Sequence, residues 1–96
     1  MDQQEAAQIL ESLLLSMVTA LVDKEDEINI GTHPAGGTIM FEVDVAKEDV
    51  GKLIGRSGKT AGALRHILGA ASAKLRVRSI IAIPDKKGLA VPDKKD

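Results

Sequence analysis

Two glycines three positions apart, in Gly55-Arg56-Ser57-Gly58, separate two segments that both have helical periodicity. The pair therefore predicts a tight turn between two helices. Glycine adopts backbone angles that other residues avoid, and it lets a phosphate approach the main chain without a Cβ in the way. The amides at the start of the following helix add hydrogen-bond donors and the positive end of a helix dipole. With Arg56 inside the turn and Lys59 directly after it, the turn is a candidate binding site for a phosphodiester backbone.

The tripeptide Gly58-Lys59-Thr60 also matches the end of the phosphate-binding loop of nucleoside triphosphatases. That loop requires a glycine five positions before Gly58, where this chain has Leu53, and it should follow a strand. A dinucleotide-binding loop is excluded as well, because Gly-x-Gly-x-x-Gly does not occur. The chain has no cysteine and no His-x-x-x-His spacing for a metal. We therefore expect a protein that is not an enzyme and uses no cofactor or metal.

The net charge of −1 conceals a strong asymmetry along the chain. Residues 1–46 carry one basic residue against nine acidic ones, whereas residues 47–78 carry eight basic residues against two acidic ones. Such a chain can bind a polyanion on one face while its overall pI stays acidic. The alternative is that the two halves neutralise each other across a shared surface.

Composition narrows the class of nucleic-acid module. Phe41 is the single aromatic residue, so a platform that stacks bases on aromatic side chains is excluded. A module that grips the backbone with a Gly-x-x-Gly loop and accommodates bases in an aliphatic groove fits. A helix-turn-helix remains possible, although strands on both sides of the two helices would be unusual for it. The N-terminus is acidic and the apolar run 13–22 is too short to span a bilayer, so we expect a cytoplasmic protein without a membrane partner.

The periodicity predicts a single domain over residues 1–83. A first helix over about residues 3–22 begins with Asp2 as N-cap and Glu5 three positions on. Its apolar arc covers about half the circumference, more than one-sided packing needs, and Leu15 falls outside even that arc. The excess is either tolerated exposure or a surface for a partner.

The remaining elements follow from alternation and turn residues. Strands are predicted at residues 28–30, 39–45 and 75–83, with a hairpin-like loop over 31–37 between the first two. Helices are predicted over residues 47–54 and from Lys59 to just before Leu75. Residues 84–96 contain Pro-Asp-Lys-Lys twice, and we expect them to form a flexible tail, either a solubility tail or a weak electrostatic attraction to nucleic acid.

This order of elements resembles a type II KH domain. The stretches 21–28 and 45–60, with Val50-Gly51-Lys52-Leu53-Ile54-Gly55-Arg56-Ser57-Gly58 at their centre, are similar to the small bacterial RNA-binding proteins of the KhpA type. The resemblance covers about residues 5–83. It departs from the family pattern in the Gly-rich loop 31–37 and in the tail. The fold it implies is α+β, in the order α-β-β-α-α-β, with a three-stranded sheet packed against helices.

The resemblance also implies a function. The chain would bind single-stranded RNA, with about four nucleotides across the loop, and would act as a post-transcriptional regulator or RNA chaperone. Carried over by position, Gly55 and Gly58 shape the loop, Arg56 and Ser57 contact the backbone, Ile54 lines the groove, and Lys52 and Lys59 add electrostatic attraction. The family's self-association and its second KH-containing partner imply a homodimer or heterodimer. A scaffold domain that acts mainly through a partner protein is the alternative, because fold does not determine function.

Overall fold

The computed structural model describes residues 2–85 and 88–90, and it has the predicted α+β class. Its helices and strands are α1 (Gln3–Leu21), β1 (Asn29–Ala35), β2 (Thr38–Asp44), α2 (Val50–Ile54), α3 (Lys59–Lys74), β3 (Arg78–Asp85) and β4 (Gly88–Ala90). Short 3-10 turns lie at Glu25–Glu27, Lys47–Asp49 and Arg56–Gly58. No helix in the described part of the chain is long and apolar enough to cross a membrane.

The sheet has the order β1-β2-β3-β4 and mixes both kinds of pairing. The β1-β2 hairpin is antiparallel, β2 and β3 are parallel, and β4 pairs antiparallel with the end of β3. Parallel neighbours need a crossover connection. Here the connection consists of α2, the loop Gly55–Gly58 (the glycine loop) and α3. The glycine loop therefore sits midway along the crossover that joins the two central strands.

Alternation along the strands sends one set of side chains into a single core. Ile39, Phe41 and Val43 of β2 and Ile81 and Ile83 of β3 are buried, whereas their neighbours Met40, Glu42 and Ile80 are exposed. The buried side chains pack against Leu10, Leu14 and Val18 of α1 and Leu64 and Leu68 of α3. The helices thus cover one face of the sheet.

The start of α1 is capped as predicted. The backbone N–H of Glu5 donates to Asp2 Oδ1 at 2.8 Å, and the backbone N–H of Asp2 reaches Glu5 Oε1 at 3.4 Å. The core does not cover every apolar side chain of α1, since Ile9 stays 45% exposed and Leu15, which lies outside the apolar arc, stays 44% exposed.

The β1-β2 connection is much shorter than predicted. Residues 31–35 are not loop but strand, because β1 continues through Pro34 to Ala35 and each residue pairs with β2. Only Gly36 and Gly37 form the turn, with φ of +46° and +80°. Two central residues with positive φ suit the right-handed twist of the flanking strands.

The third strand begins three residues later than predicted, because α3 ends in a Schellman motif. The Val77 N–H donates to the Ser72 carbonyl at 3.0 Å and the Arg76 N–H to the Ala73 carbonyl at 3.2 Å. This places Arg76 in the left-handed region, with φ of +64°. Glycine usually occupies that position, and another residue there costs roughly 1–2 kcal/mol.

Ordered strand structure extends past residue 83. β3 continues through Pro84 to Asp85, and residues 88–90 add a short fourth strand beside it. The rest of the expected tail, residues 86–87 and 91–96, lies outside the described residues.

Candidate nucleic-acid interface

Three of the four residues of the glycine loop have a positive φ. Gly55 ends α2 with φ +76° and ψ 169°, Ser57 has φ +57°, and Gly58 has φ +74°. Two backbone hydrogen bonds hold this shape, from the Gly55 N–H to the Gly51 carbonyl at 2.9 Å and from the Gly58 N–H to the Gly55 carbonyl at 3.1 Å. The loop is therefore a defined turn rather than a loose connection.

The two glycines are required for different reasons. A Cβ on Gly55 would collide with the side chain of Thr60 and would stand 2.7 Å from the Thr60 backbone nitrogen. A Cβ on Gly58 would meet nothing within 4 Å. Gly55 lets the start of α3 pack against the end of α2, whereas Gly58 supplies only a left-handed backbone.

Arg56, Ser57 and Lys59 are exposed on this turn. Within residues 2–85 and 88–90, neither Arg56 nor Lys59 forms an ion pair or a side-chain hydrogen bond. Gly58 is the N-cap of α3 and offers no side-chain acceptor, so the first amides of this 16-residue helix are not capped by a side chain. Two cations, a hydroxyl and uncapped amides thus share one turn, a combination suited to an anion.

Lys52 is placed differently from the other predicted site residues. Its Nζ lies 3.3 Å from Asp49 Oδ1 and 3.5 Å from Asp23 Oδ2, and these carboxylates, Asp49 first, raise the pKa of Lys52. Its charge is therefore already balanced by two carboxylates. Lys52 joins α2 to the segment that follows α1.

Asp49, which the sequence presented only as an acidic residue at a helix start, is the buried anchor of this network. It is 1% exposed, and its Oδ2 accepts the backbone N–H of Lys24 at 3.0 Å. That hydrogen bond, together with the nearby Lys52 ammonium, lowers the pKa of Asp49. A second pair, Lys24 Nζ to Glu48 Oε2 at 3.3 Å, lies beside it on the surface. The network fixes the start of α2, and so the loop that follows it, to the chain after α1.

Next to the loop, α3 packs against β3, and the outer edge of β3 is open over part of its length. Among the described strands, none pairs with that edge between Arg78 and Ala82, and Arg65 of α3 donates to the Ile81 carbonyl there at 3.3 Å. Gly62 and Gly69 flank Arg65 on the same helix face, and a Cβ on either would meet nothing within 4 Å. Ile54 is half-buried at the end of α2 and packs against the core. Sequence reasoning missed Arg65, because its partner is a backbone carbonyl 16 residues away.

No group of three or more His, Cys, Asp or Glu side chains in the described part of the chain could hold a metal ion. His33 instead lies on the open face of the sheet, with Nε2 3.5 Å from Glu42 Oε1, and His66 is exposed on α3.

A family model for the KH domain of KhpA and KhpB matches residues 11–83. The chain belongs to this family. Curated relatives cover most of its length. The RNA-binding protein KhpA of Borreliella burgdorferi is 41% identical over 73 residues, which is 76% of this chain and 89% of the relative. The same-named protein of Treponema pallidum is 37% identical over 75 residues, covering 78% and 94%. That of Halalkalibacterium halodurans is 36% identical over 76 residues, covering 79% and 100%. No solved structure matches the chain significantly.

In this KhpA/KhpB-type KH domain, the matched region begins inside α1 and ends within β3. It therefore contains the loop, both helices that flank it and the edge of β3. Within this region the elements follow the type II order expected from the resemblance, and β4 comes after it.

Proposed function

We propose that the chain binds single-stranded RNA, with the Gly55–Gly58 loop holding the phosphate backbone and the α3–β3 groove accommodating bases. The relatives are named RNA-binding proteins, which supports RNA as the ligand. In this proposal Gly55 and Gly58 set the backbone, while Arg56, Ser57 and Lys59 contact phosphates. Ile54 lines the groove, and Lys52 adds long-range attraction beyond its two carboxylate partners.

The observation that carries the proposal is the pairing state of the cations. Lys24 and Lys52 each sit within 3.5 Å of a carboxylate, whereas Arg56 and Lys59 on the loop have no such partner among the described residues. The fold neutralises the basic side chains that brace α2 and leaves those on the loop available. A phosphodiester supplies negative charge for Arg56 and acceptor oxygens for the Ser57 hydroxyl and for the α3 amides that no side chain caps.

In this proposal the bases lie between α3 and the edge of β3. Gly62 and Gly69 of α3 leave open space there, and the Arg65–Ile81 hydrogen bond occupies one backbone acceptor of the sheet edge. Phe41 is fully buried, so base stacking on an aromatic ring is not available. Bases held here would be read by shape and by backbone or Arg65 hydrogen bonds.

The direct test replaces both exposed loop residues, Arg56→Asp with Ser57→Asp. We expect the double variant to keep the parent circular dichroism spectrum and to lose binding of a labelled single-stranded RNA, because two carboxylates then face the phosphates. Two single substitutions, each of which removes one positive charge, test whether the position of the charge matters. Arg56→Gln should weaken binding, while Lys47→Gln, which removes one exposed charge outside the loop, should not. Parent-like RNA binding by the double variant would contradict the loop assignment.

Salt dependence provides a second test. The logarithm of a binding constant for a single strand falls with the logarithm of salt concentration by about 0.7 per phosphate contact. A contact by Arg56 predicts that Arg56→Gln reduces this slope by about that amount. A flat response in the parent would argue against a phosphate clamp.

The cellular role we propose is post-transcriptional regulation or RNA chaperoning in the cytoplasm, without enzymatic activity. Crosslinking in cells followed by sequencing of the bound RNA would identify targets. Crosslinked reads no more abundant than those of the Arg56→Asp, Ser57→Asp variant would contradict this role.

A second candidate, a scaffold that acts mainly through a partner protein, is favoured by exposed apolar side chains. Met40 and Ile80 are register partners on the open face of the sheet, 36% and 46% exposed. Ile9 and Leu15 of α1 and Ile67 of α3 are also 44–50% exposed. These surfaces support the expected homodimer, or a heterodimer with another KH-containing protein. Sedimentation measurements over a range of concentrations test self-association, and a single monomeric species throughout would contradict the homodimer.

A further inference from the structure

A second basic cluster lies at the opposite end of α3 from the glycine loop. Lys74 and Arg76 line a cavity of about 530 Å³ at the end of the helix. Arg76 and Arg78 line a neighbouring cavity of about 460 Å³, and the two cavities share Gly37, Arg76 and Val77. Because α3 has 16 residues, the cluster is about 24 Å from the loop along the helix. We call Lys74, Arg76 and Arg78 the distal basic site.

All three side chains of the distal basic site are exposed, and within the described residues none of them forms an ion pair or a hydrogen bond. Arg56 and Lys59 likewise lack such partners among the described residues, whereas Lys24 and Lys52 each form an ion pair. The larger cavity also contains a donor without an acceptor, because Gln3 Nε2 is buried and has no hydrogen-bond partner in this part of the chain. A buried amide donor without a partner indicates a missing acceptor.

The acidic side chains at the start of α1 do not supply the missing acceptor or balance the three positive charges. Gln3 follows Asp2, but the Asp2 carboxylate already accepts the Glu5 N–H at 2.8 Å. Neither Asp2 nor Glu5 pairs with any of the three cations within residues 2–85 and 88–90. Within the described residues, the site thus combines three positive charges and an amide donor, and no carboxylate pairs with any of them.

Arg76 is the informative member, because the fold itself favours another residue there. It occupies the left-handed position of the Schellman motif at the end of α3, where glycine is preferred. A side chain held in a disfavoured backbone region points to a role for that side chain. A planar guanidinium suits a phosphate in particular, because it donates two parallel hydrogen bonds to two oxygens.

We infer that the distal basic site binds a second phosphate group of the same RNA strand that the glycine loop holds. The inference rests on the proposed function and extends it, since it assigns the chain a longer RNA footprint than the loop alone provides. Two weak contacts on one strand reinforce each other, because the first contact raises the effective concentration of the second. Long RNA would therefore bind more tightly than a tetranucleotide, by an amount that depends on Arg76.

The test compares labelled oligouridylates of four and twelve nucleotides by fluorescence anisotropy, using the full chain. Four proteins are needed: the parent, Arg76→Gly, Arg76→Lys and the charge control Lys47→Gln. We expect Arg76→Gly to weaken binding of the twelve-nucleotide RNA about fivefold and to reduce its salt slope by about 0.7. Binding of the tetranucleotide should be unchanged. The melting temperature of Arg76→Gly should equal or exceed that of the parent, because glycine is preferred at that backbone position.

The controls separate the explanations. Arg76→Lys should keep much of the length-dependent affinity, because it retains the charge, and Lys47→Gln should keep all of it. Unchanged binding of the longer RNA by Arg76→Gly would refute the distal site and leave the loop proposal intact. Equal losses at both lengths with a lower melting temperature would show a structural role for Arg76 and would also refute it. Failure of the parent to bind either oligonucleotide would refute both proposals together.

Discussion

Replacing each loop glycine by alanine should separate the two roles that the structure gives them. At Gly58 the added Cβ enters open space. The only cost is that of holding alanine in the left-handed backbone region, about 1–2 kcal/mol. At Gly55 the φ of +76° and ψ of 169° lie in a region occupied almost solely by glycine, which costs about 1–3 kcal/mol. The Cβ also stands 2.7 Å from the Thr60 nitrogen, and relieving such an overlap costs about 1–3 kcal/mol more.

Both variants gain about 0.4–1 kcal/mol from the lower entropy of the unfolded chain. The net expectation is therefore a loss of about 1 kcal/mol for Gly58→Ala and about 3 kcal/mol for Gly55→Ala. A domain of this size has a total stability of about 5–15 kcal/mol, so the second loss is a large share of it.

Urea unfolding followed by circular dichroism measures both free energies. The transitions should keep the parent slope, because neither substitution changes the surface exposed on unfolding. Gly58→Ala is the matched control, since it makes the same chemical change three residues away. Equal destabilisation of the two variants, or a loss below about 1 kcal/mol for Gly55→Ala, would refute the idea that contact with the start of α3 requires glycine at position 55.

Three further predictions use the same kind of comparison. Leu14→Ala should lower the free energy of unfolding by about 2–5 kcal/mol, since Leu14 is fully buried, whereas Leu15→Ala should change it by less than about 0.5 kcal/mol; urea unfolding checks both. Because its folded pKa is lowered, the ionised Asp49 stabilises the fold above about pH 4, and this contribution disappears as pH falls through the folded pKa. Asp49→Asn should therefore be less stable at pH 7 and lose less stability between pH 5 and 2 than the parent, measured as melting temperature against pH; parallel curves would contradict this role. Lys59→Gln should reduce the salt slope of RNA binding by about 0.7, and Lys52→Gln by clearly less, because two carboxylates already balance the Lys52 charge; equal slopes in titrations of the two variants would count against that distinction.

Local sequence was sufficient to predict the elements with strong local signals. The capping residues Asp2 and Glu5 predicted the start of α1, and Gly58 with the periodicity after it predicted α3 from Lys59 to Lys74. Alternation predicted β2, whose inner face is buried and whose outer face is exposed. In each case the preference of the segment agrees with the fold around it.

Elements whose form depends on distant partners were missed or misplaced. Residues 31–35 have the composition of a turn, yet pairing with β2 draws them into a strand and leaves only Gly36 and Gly37 as the turn. Composition records local preference, and tertiary pairing overrides it here. The start of β3 was misplaced because Arg76 occupies a helix-ending position that is read from sequence only when glycine stands there.

In the candidate site, too, features set by local sequence were predicted and features that depend on distant residues were not. The residues of the loop were predicted from its sequence, and the structure gives them a defined backbone with exposed cations. The bracing of Lys52 by Asp23 and Asp49 could not be predicted, because Asp23 is 29 residues away in sequence and charged surface residues have many possible partners. The hydrogen bond from Arg65 to Ile81 was hidden for the same reason.

The shortness of α2 ties the behaviour of the loop to that of the whole domain. Five residues make fewer than two turns, and a helix of that length does not persist in water by itself. The helix is stabilised by Val50 and Leu53, which are buried in the hydrophobic core, and by the buried Asp49 at its N-terminus. The Gly55 N–H donates a hydrogen bond to the Gly51 carbonyl in the last turn of α2. Its hydrogen should therefore exchange with solvent only when the domain opens enough to expose core amides as well. The loop that we propose binds RNA and the hydrophobic core would then open and close as one cooperative unit.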